Sequence, residues 1–250
     1  MYFFLMQMHY LFELDKKLKI KIINFSKVIS MKIKKESLNN LIGELEDINY
    51  ISNTKLSIIY SAEHLIGKHG IHGVTTRDIN RMANQKNASS LYYHFGNKDL
   101  LIDSILDFRL QALDLEYLSM LSNINKGSNE LDADKILDIL ITPVISKVLS
   151  EESWKDYIFF MQQVYLSDDL NVKLDNKMKN TTDYLYKELR NLHGIKDDEL
   201  WLIRLYDFRN FLISSVAQSK KDLNRNKNKL LTKECYFNYL HKTSKKILID

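Results

Sequence analysis

Thr75-Thr76-Arg77-Asp78-Ile79, followed by Asn84-Gln85-Lys86-Asn87-Ala88-Ser89-Ser90-Leu91-Tyr92-Tyr93-His94-Phe95-Gly96-Asn97-Lys98, reads as two short helices joined by a tight turn. Thr75 stands three residues before Asp78, the spacing of an N-cap whose acid faces the positive end of the helix it opens. That helix is predicted to run to about Ala83, where Asn84 can adopt the left-handed conformation that ends it. The next helix is expected over Ala88 to Phe95, with Leu91 and Phe95, four apart, facing inward. Gly96 or Asn97 then opens another at Lys98 to Leu115. Upstream, Ile58, Ile59, Ala62, Leu65 and Ile66 share one face of a helix over Asn53 to Lys68, and Gly70 stops it.

Two short helices on a tight turn, with a third packed before them, let one helix enter the major groove while its neighbour braces on the backbone. Ala88, Ser89 and Ser90 are small enough for close approach to base edges, and the amides, hydroxyls and phenols around them can bond bases and phosphates. Charge agrees locally, since Arg77 to Lys98 carries four basic residues against one acid. The whole chain is only +4 in net charge, a mild hint of a polyanionic partner. The lysines from Arg225 to Lys246 alternate with apolar residues as on a solvated helix face.

Residues Asn53 to Leu101 resemble the DNA-binding domain of the tetracycline-repressor (TetR) family of bacterial transcription regulators. The resemblance rests on Gly70-Ile71, on Thr75 to Ile79, on Leu91-Tyr92-Tyr93-His94-Phe95 and on Asn97-Lys98-Asp99-Leu100-Leu101. Asn84 stands where the family usually has glycine, and Gln85 to Ser90 is one residue longer than its commonest form. The resemblance implies that Arg77 reads a guanine, that Ser89 and Ser90 fall in the base-reading part of the third helix, and that Tyr92, Tyr93, His94 and Lys98 contact phosphate. Thr76 is a further phosphate contact, and Lys86 and Asn87 of the turn complete the expected DNA-binding set. For Tyr93 and His94 the competing reading is packing between helices, and for Arg77 a surface ion pair.

The remaining chain reads as further amphipathic helices with breaks at Asn123 to Asn129, Pro143, Ser150, Ser167 to Asp169, His193 to Asp198 and Lys220 to Leu231. Sustained alternation with turn dipeptides is missing, so an all-α fold is expected: a helix-turn-helix domain over 51–101 and a helical domain over 102–250. In the helix from Glu199 to about Lys220, Trp201, Leu205, Phe208, Leu212, Ser215 and Val216 form one stripe. A last helix, Lys233 to Leu248, offers Tyr236, Phe237 and Leu240. These two resemble the family's four-helix dimer interface, and an ordinary monomer core fits the stripe as well. Trp154, Tyr157, Phe160, Met161 and Tyr165 suit a pocket for a small hydrophobic effector and equally suit a plain core.

Composition narrows the rest. One proline and seven glycines in 250 residues leave few helix breaks, and the single cysteine, Cys235, fits a reducing, cytoplasmic setting. Cys235 itself is expected to be a buried, inert thiol. His64, His69 and His72 lack the companions of a metal site, and no G-x-S-x-G, P-loop or G-x-G-x-x-G occurs, so neither a cofactor nor an enzyme is expected. Residues 1–50 form an extension whose apolar start, Met1 to Leu14, is too short and too interrupted to span a membrane. It reads as an extra helix, an interfacial anchor, or a translated stretch upstream of a true start at Met31. The function expected is a ligand-responsive repressor that binds a palindromic operator as a homodimer. The alternatives are an effector-independent architectural DNA-binding protein and a helical enzyme.

Overall fold

A computed structural model describes residues 52–126, 131–178, 181–225 and 232–249. The expectations for residues 1–50, and for the polar loop beyond Arg225, lie outside the described residues. Ten α-helices are described: α1 (Asn53–His69), α2 (Thr76–Met82), α3 (Ser90–Phe95), α4 (Lys98–Lys126), α5 (Ala133–Ser150), α6 (Tyr157–Tyr165), α7 (Asp168–Lys177), α8 (Thr181–Leu192), α9 (Asp198–Arg225) and α10 (Lys233–Leu248). A single 3-10 turn, Glu152–Trp154, links α5 to α6, and no strand occurs among the described residues. The fold is all-α, with a helix-turn-helix group first and a larger helical body after it. No described helix is long and apolar enough to cross a membrane.

Local signals account for the first three helices. Gly70 takes φ +78° as its N–H donates to the Ile66 carbonyl at 2.8 Å, a left-handed stop that costs glycine nothing. At α2 the Thr75 hydroxyl accepts from the Asp78 N–H at 3.2 Å while the Asp78 carboxylate accepts from the Thr75 N–H at 3.1 Å, a complete capping box. The Thr75 hydroxyl also donates to the Asp78 carboxylate at 2.6 Å, and this bond first, then that from the Thr75 N–H, holds the Asp78 carboxyl below the usual carboxylate range. Asn84 ends the segment at φ 53°.

Ile58, Ile66, Ile79, Leu91 and Leu101 are fully buried and bind the small group together, each worth about 1.5–3 kcal/mol of burial. The same core continues along α4 through Ile105, Leu106 and Leu113 into α5, α6, α8 and α9. The boundary expected near residue 101 therefore falls within the first turns of α4, which serves both groups.

Three expected features differ. Pro143 does not break α5, which continues from Ala133 to Ser150 with Ile139, Leu140, Val144 and Ile145 buried around the proline. Burial on several sides outweighs the lost hydrogen bond and ring clash, a cost of about 3 kcal/mol. Helix α4 runs past Leu115 to Lys126, because nothing in its sequence stops it earlier. Helix α3 starts at Ser90 rather than Ala88: the Asn87 side chain accepts the Ser89 N–H at 2.9 Å and holds the preceding residues in a turn.

Candidate nucleic-acid interface

Helices α2 and α3 are locked by one buried amide that the sequence reading passed over. Asn80, 3% exposed, donates its Nδ2 to the Ala88 carbonyl at 2.6 Å and accepts the Leu91 N–H at its Oδ1 at 3.1 Å. Both ends of the side chain are used, one on each side of the start of α3. The Gln85 N–H donates to the Asn80 carbonyl at 2.9 Å, and Gln85 Oε1 accepts from the Ser90 hydroxyl at 3.2 Å. Asn80→Leu is expected to lower stability by about 1–3 kcal/mol, since it strands a buried N–H and a buried carbonyl. Urea unfolding measures it, and specific DNA affinity should fall further than nonspecific affinity.

With α3 so fixed, the turn before it presents Lys86, Asn87 and Ser89 to solvent and its own outer surface presents Tyr92 and Tyr93, the latter 84% exposed. The packing alternative for Tyr93 does not describe this geometry. Its ring stands edge-on to the half-buried His94, centroids 5.0 Å apart. On α2, Arg77 is exposed and has no ion-pair partner among the described residues. Its neighbour Asp78 is already taken by Thr75 and, at 2.9 Å, by Arg81. Thr76 is half-buried beside Arg77.

Two expected contacts are placed otherwise. Ser90 is 7% exposed and donates to Gln85, so it steadies the turn from within, whereas Ser89 stays outside. Lys98, half-buried, donates its ammonium to the carbonyls of Ile71 at 2.8 Å and Val74 at 3.1 Å. It thereby anchors the α1–α2 link to the start of α4, with donor capacity left over.

A buried ion pair joins this group to the body. Arg109 of α4 meets Glu63 of α1 through two bonds of 2.6 Å each, and both residues are 1% exposed. The guanidinium also donates to the Ser153 carbonyl at 2.6 Å and lies 4.3 Å from the Trp154 ring. Nearby, α1 touches α6 so closely that a Cβ on Gly67 would stand 2.9 Å from the Phe159 Cβ. No local signal marks these contacts, whose partners lie far apart along the chain.

In the body, Tyr157, Met161 and Tyr165 line a partly open cavity of about 70 Å³ between α4 and α9. Of the other residues expected there, Phe160 is buried in the core, and Trp154 packs on Arg109 instead. The stripe expected at a dimer interface also turns inward. Trp201, Leu205, Phe208, Leu212, Val216 and Leu240 are buried within the single chain, because α9 and α10 use those faces to cover α5, α6 and each other. Ser215 is half-buried, as are Tyr236, which donates to Asp222 at 2.9 Å, and Phe237, which stacks on His241. What the two helices leave outside is Leu202, Ile203, Tyr206 and Tyr239, all exposed. Cys235, expected to be buried, is exposed on α10 as well, because its position faces away from α9.

No curated protein matches the chain. Residues 58–105, which span α1 to the first turns of α4, match the family model described as bacterial regulatory proteins, tetR family. The outward row on α3, the braced α2 and this match agree, and the chain carries the DNA-binding domain of the TetR family of bacterial transcription regulators.

Proposed function

We propose that the protein is a ligand-responsive repressor that binds a palindromic operator as a homodimer. The observation that carries this reading is the solvent-facing set Arg77, Lys86, Asn87, Ser89, Tyr92 and Tyr93, held on two helices and the turn between them, which Asn80 ties together. Donors and phenols on a rigid convex edge suit base edges and phosphates, and Lys98, His94 and Thr76 flank them. Residues 51–101 contribute this surface, and residues 102–250 supply dimer contacts and an effector cavity.

Two copies set two recognition helices at a fixed spacing, roughly 34–36 Å for half-sites one helical turn apart on one face of the duplex. An effector that binds better to a conformation with another spacing releases DNA through that difference in affinity. Tyr157, Met161 and Tyr165 of α6 line the cavity, while Phe159 of the same helix meets α1 at Gly67, which gives such a difference a short path to the DNA-binding group.

The test is an unbiased selection of duplexes by the purified chain, with sedimentation equilibrium run beside it. A two-fold symmetric consensus bound by a dimer is expected; a strict monomer without preference among duplexes would overturn the reading. On the selected operator, Arg77→Ala should cost about 1–3 kcal/mol and relax the preference at one base pair. Lys98→Ala should weaken all duplexes alike and flatten the salt dependence. Equal losses for Arg77→Ala on specific and random DNA would remove its base-reading role.

A further inference from the structure

The cavity of the helical body has a chemistry of its own. Leu110, Leu113, Leu140 and Val144 are among its apolar walls, yet the phenols of Tyr117, Tyr157, Tyr165 and Tyr186 and the guanidinium of Arg209 also line it. Arg209 of α9 pairs with Asp175 of α7 and lies 5.6 Å from the centre of the Tyr186 ring. Its Nε is buried and has no hydrogen-bond partner among the described residues. Burial pushes all four phenols above their ordinary range, so each remains a neutral O–H. Of the other charged residues on the lining, Lys177 is paired with Asp107 at 2.6 Å, and Asp114 adds a carboxylate.

Beside Arg209 the lining is rich in donors, with Asp114 the one carboxylate among its residues, next to an apolar wall. A carboxylate accepts only, and its planar pair of oxygens matches a guanidinium, which has five donors and can serve Asp175 and a second carboxylate together. An ammonium would instead set a second cation beside Arg209, and an alcohol would answer one donor at most. About 70 Å³ of open space takes the carboxylate head and the first carbons of a short chain; the remainder lies toward the open side of the cavity and against Met161 and Met178, which can yield to it.

We propose that this cavity binds a small amphipathic carboxylate, its head taken by Arg209 with the phenols of Tyr165 and Tyr186 and its hydrocarbon body lying against Leu110, Leu113 and Val144. The assignment rests on the reading of the cavity as an effector site and names the class of effector. Isothermal titration of the full chain with hexanoate, hexan-1-ol and hexylamine tests it. Hexanoate should bind saturably, one per protomer, at least tenfold more tightly than either analogue. Arg209→Gln should abolish that preference. Tyr165→Phe, which keeps the ring and loses only the hydroxyl, should weaken hexanoate several-fold and leave hexan-1-ol unchanged, and it serves on its own should the Arg209 variant fail to fold.

Absence of saturable hexanoate binding, equal or tighter binding of either analogue, or a preference that survives Tyr165→Phe at full strength would overturn the assignment. Duplex selection by the ligand-free protein is scored separately. Retained operator preference without hexanoate binding removes the carboxylate alone. Lost operator preference removes the regulator reading, and the carboxylate is then judged on the titration by itself.

Discussion

Arg109→Leu is expected to cost the folded chain about 3–5 kcal/mol, the penalty for leaving a buried carboxylate without its partner. Glu63 is 1% exposed, and both oxygens of its carboxylate accept from the guanidinium at 2.6 Å. Burial pushes the Glu63 carboxyl upward against the pull of Arg109, which shows how much desolvation the pair must offset. For a domain of this size the loss corresponds to a fall in Tm of roughly 6–20 °C, at about 2–4 °C per kcal/mol. The pair need not be stabilising relative to an apolar replacement, because desolvation can cancel its Coulomb attraction. Glu63→Leu combined with Arg109→Met should therefore recover most of the loss, helped by the rings of Tyr60, Phe108, Trp154 and Tyr157 around the site. Urea unfolding of the two single variants and the double variant closes a mutant cycle. Simple additivity of the two losses would show that the residues do not act as a unit.

What the sequence made legible, and what it hid, divides by distance along the chain. Thr75 with Asp78, Gly70 and Asn84 act within three or four residues of themselves, and the limits of α1 and α2 follow from them. The stretch from Gln85 to Lys98 carries enough side-chain chemistry in order to place the DNA-facing surface. Within it the inward turn of Ser90 escaped, because Gln85, five residues earlier, decides it. Pro143 escaped for a different reason: a local rule about proline was overruled by burial from neighbours that no local window contains. The Arg109–Glu63 pair spans 46 positions, so neither residue bears a mark that separates it from a solvated charge. Periodicity found the stripe from Trp201 to Val216 correctly as a stripe. It could not say whether a neighbouring helix of the same chain or a second copy covers it.

That ambiguity fixes the second large effect, the outcome of charging the outer face of α9. Ile203 and Tyr206 are 57% and 43% exposed, and Tyr239 of the adjoining α10 is 55% exposed, its ring packed edge-on to Phe211 at 6.1 Å. Exposed residues of this size on two helices that pack on each other suit the two-fold dimer proposed above. Ile203→Arg with Tyr206→Arg sets like charges across that contact, and sedimentation equilibrium should then find a monomer where the parent is a dimer. Affinity for the full operator should fall about 100-fold to 10,000-fold, because the second half-site no longer benefits from being tethered to the first. Binding to an isolated half-site should stay as it was. Phe208→Ala provides the contrast: Phe208 is 1% exposed within the single chain, so its loss should remove about 3–5 kcal/mol of folding stability. If the doubly charged variant stays dimeric while Phe208→Ala dissociates without unfolding, the inward stripe is the dimer contact, and the exposed row on α9 and α10 must be assigned elsewhere.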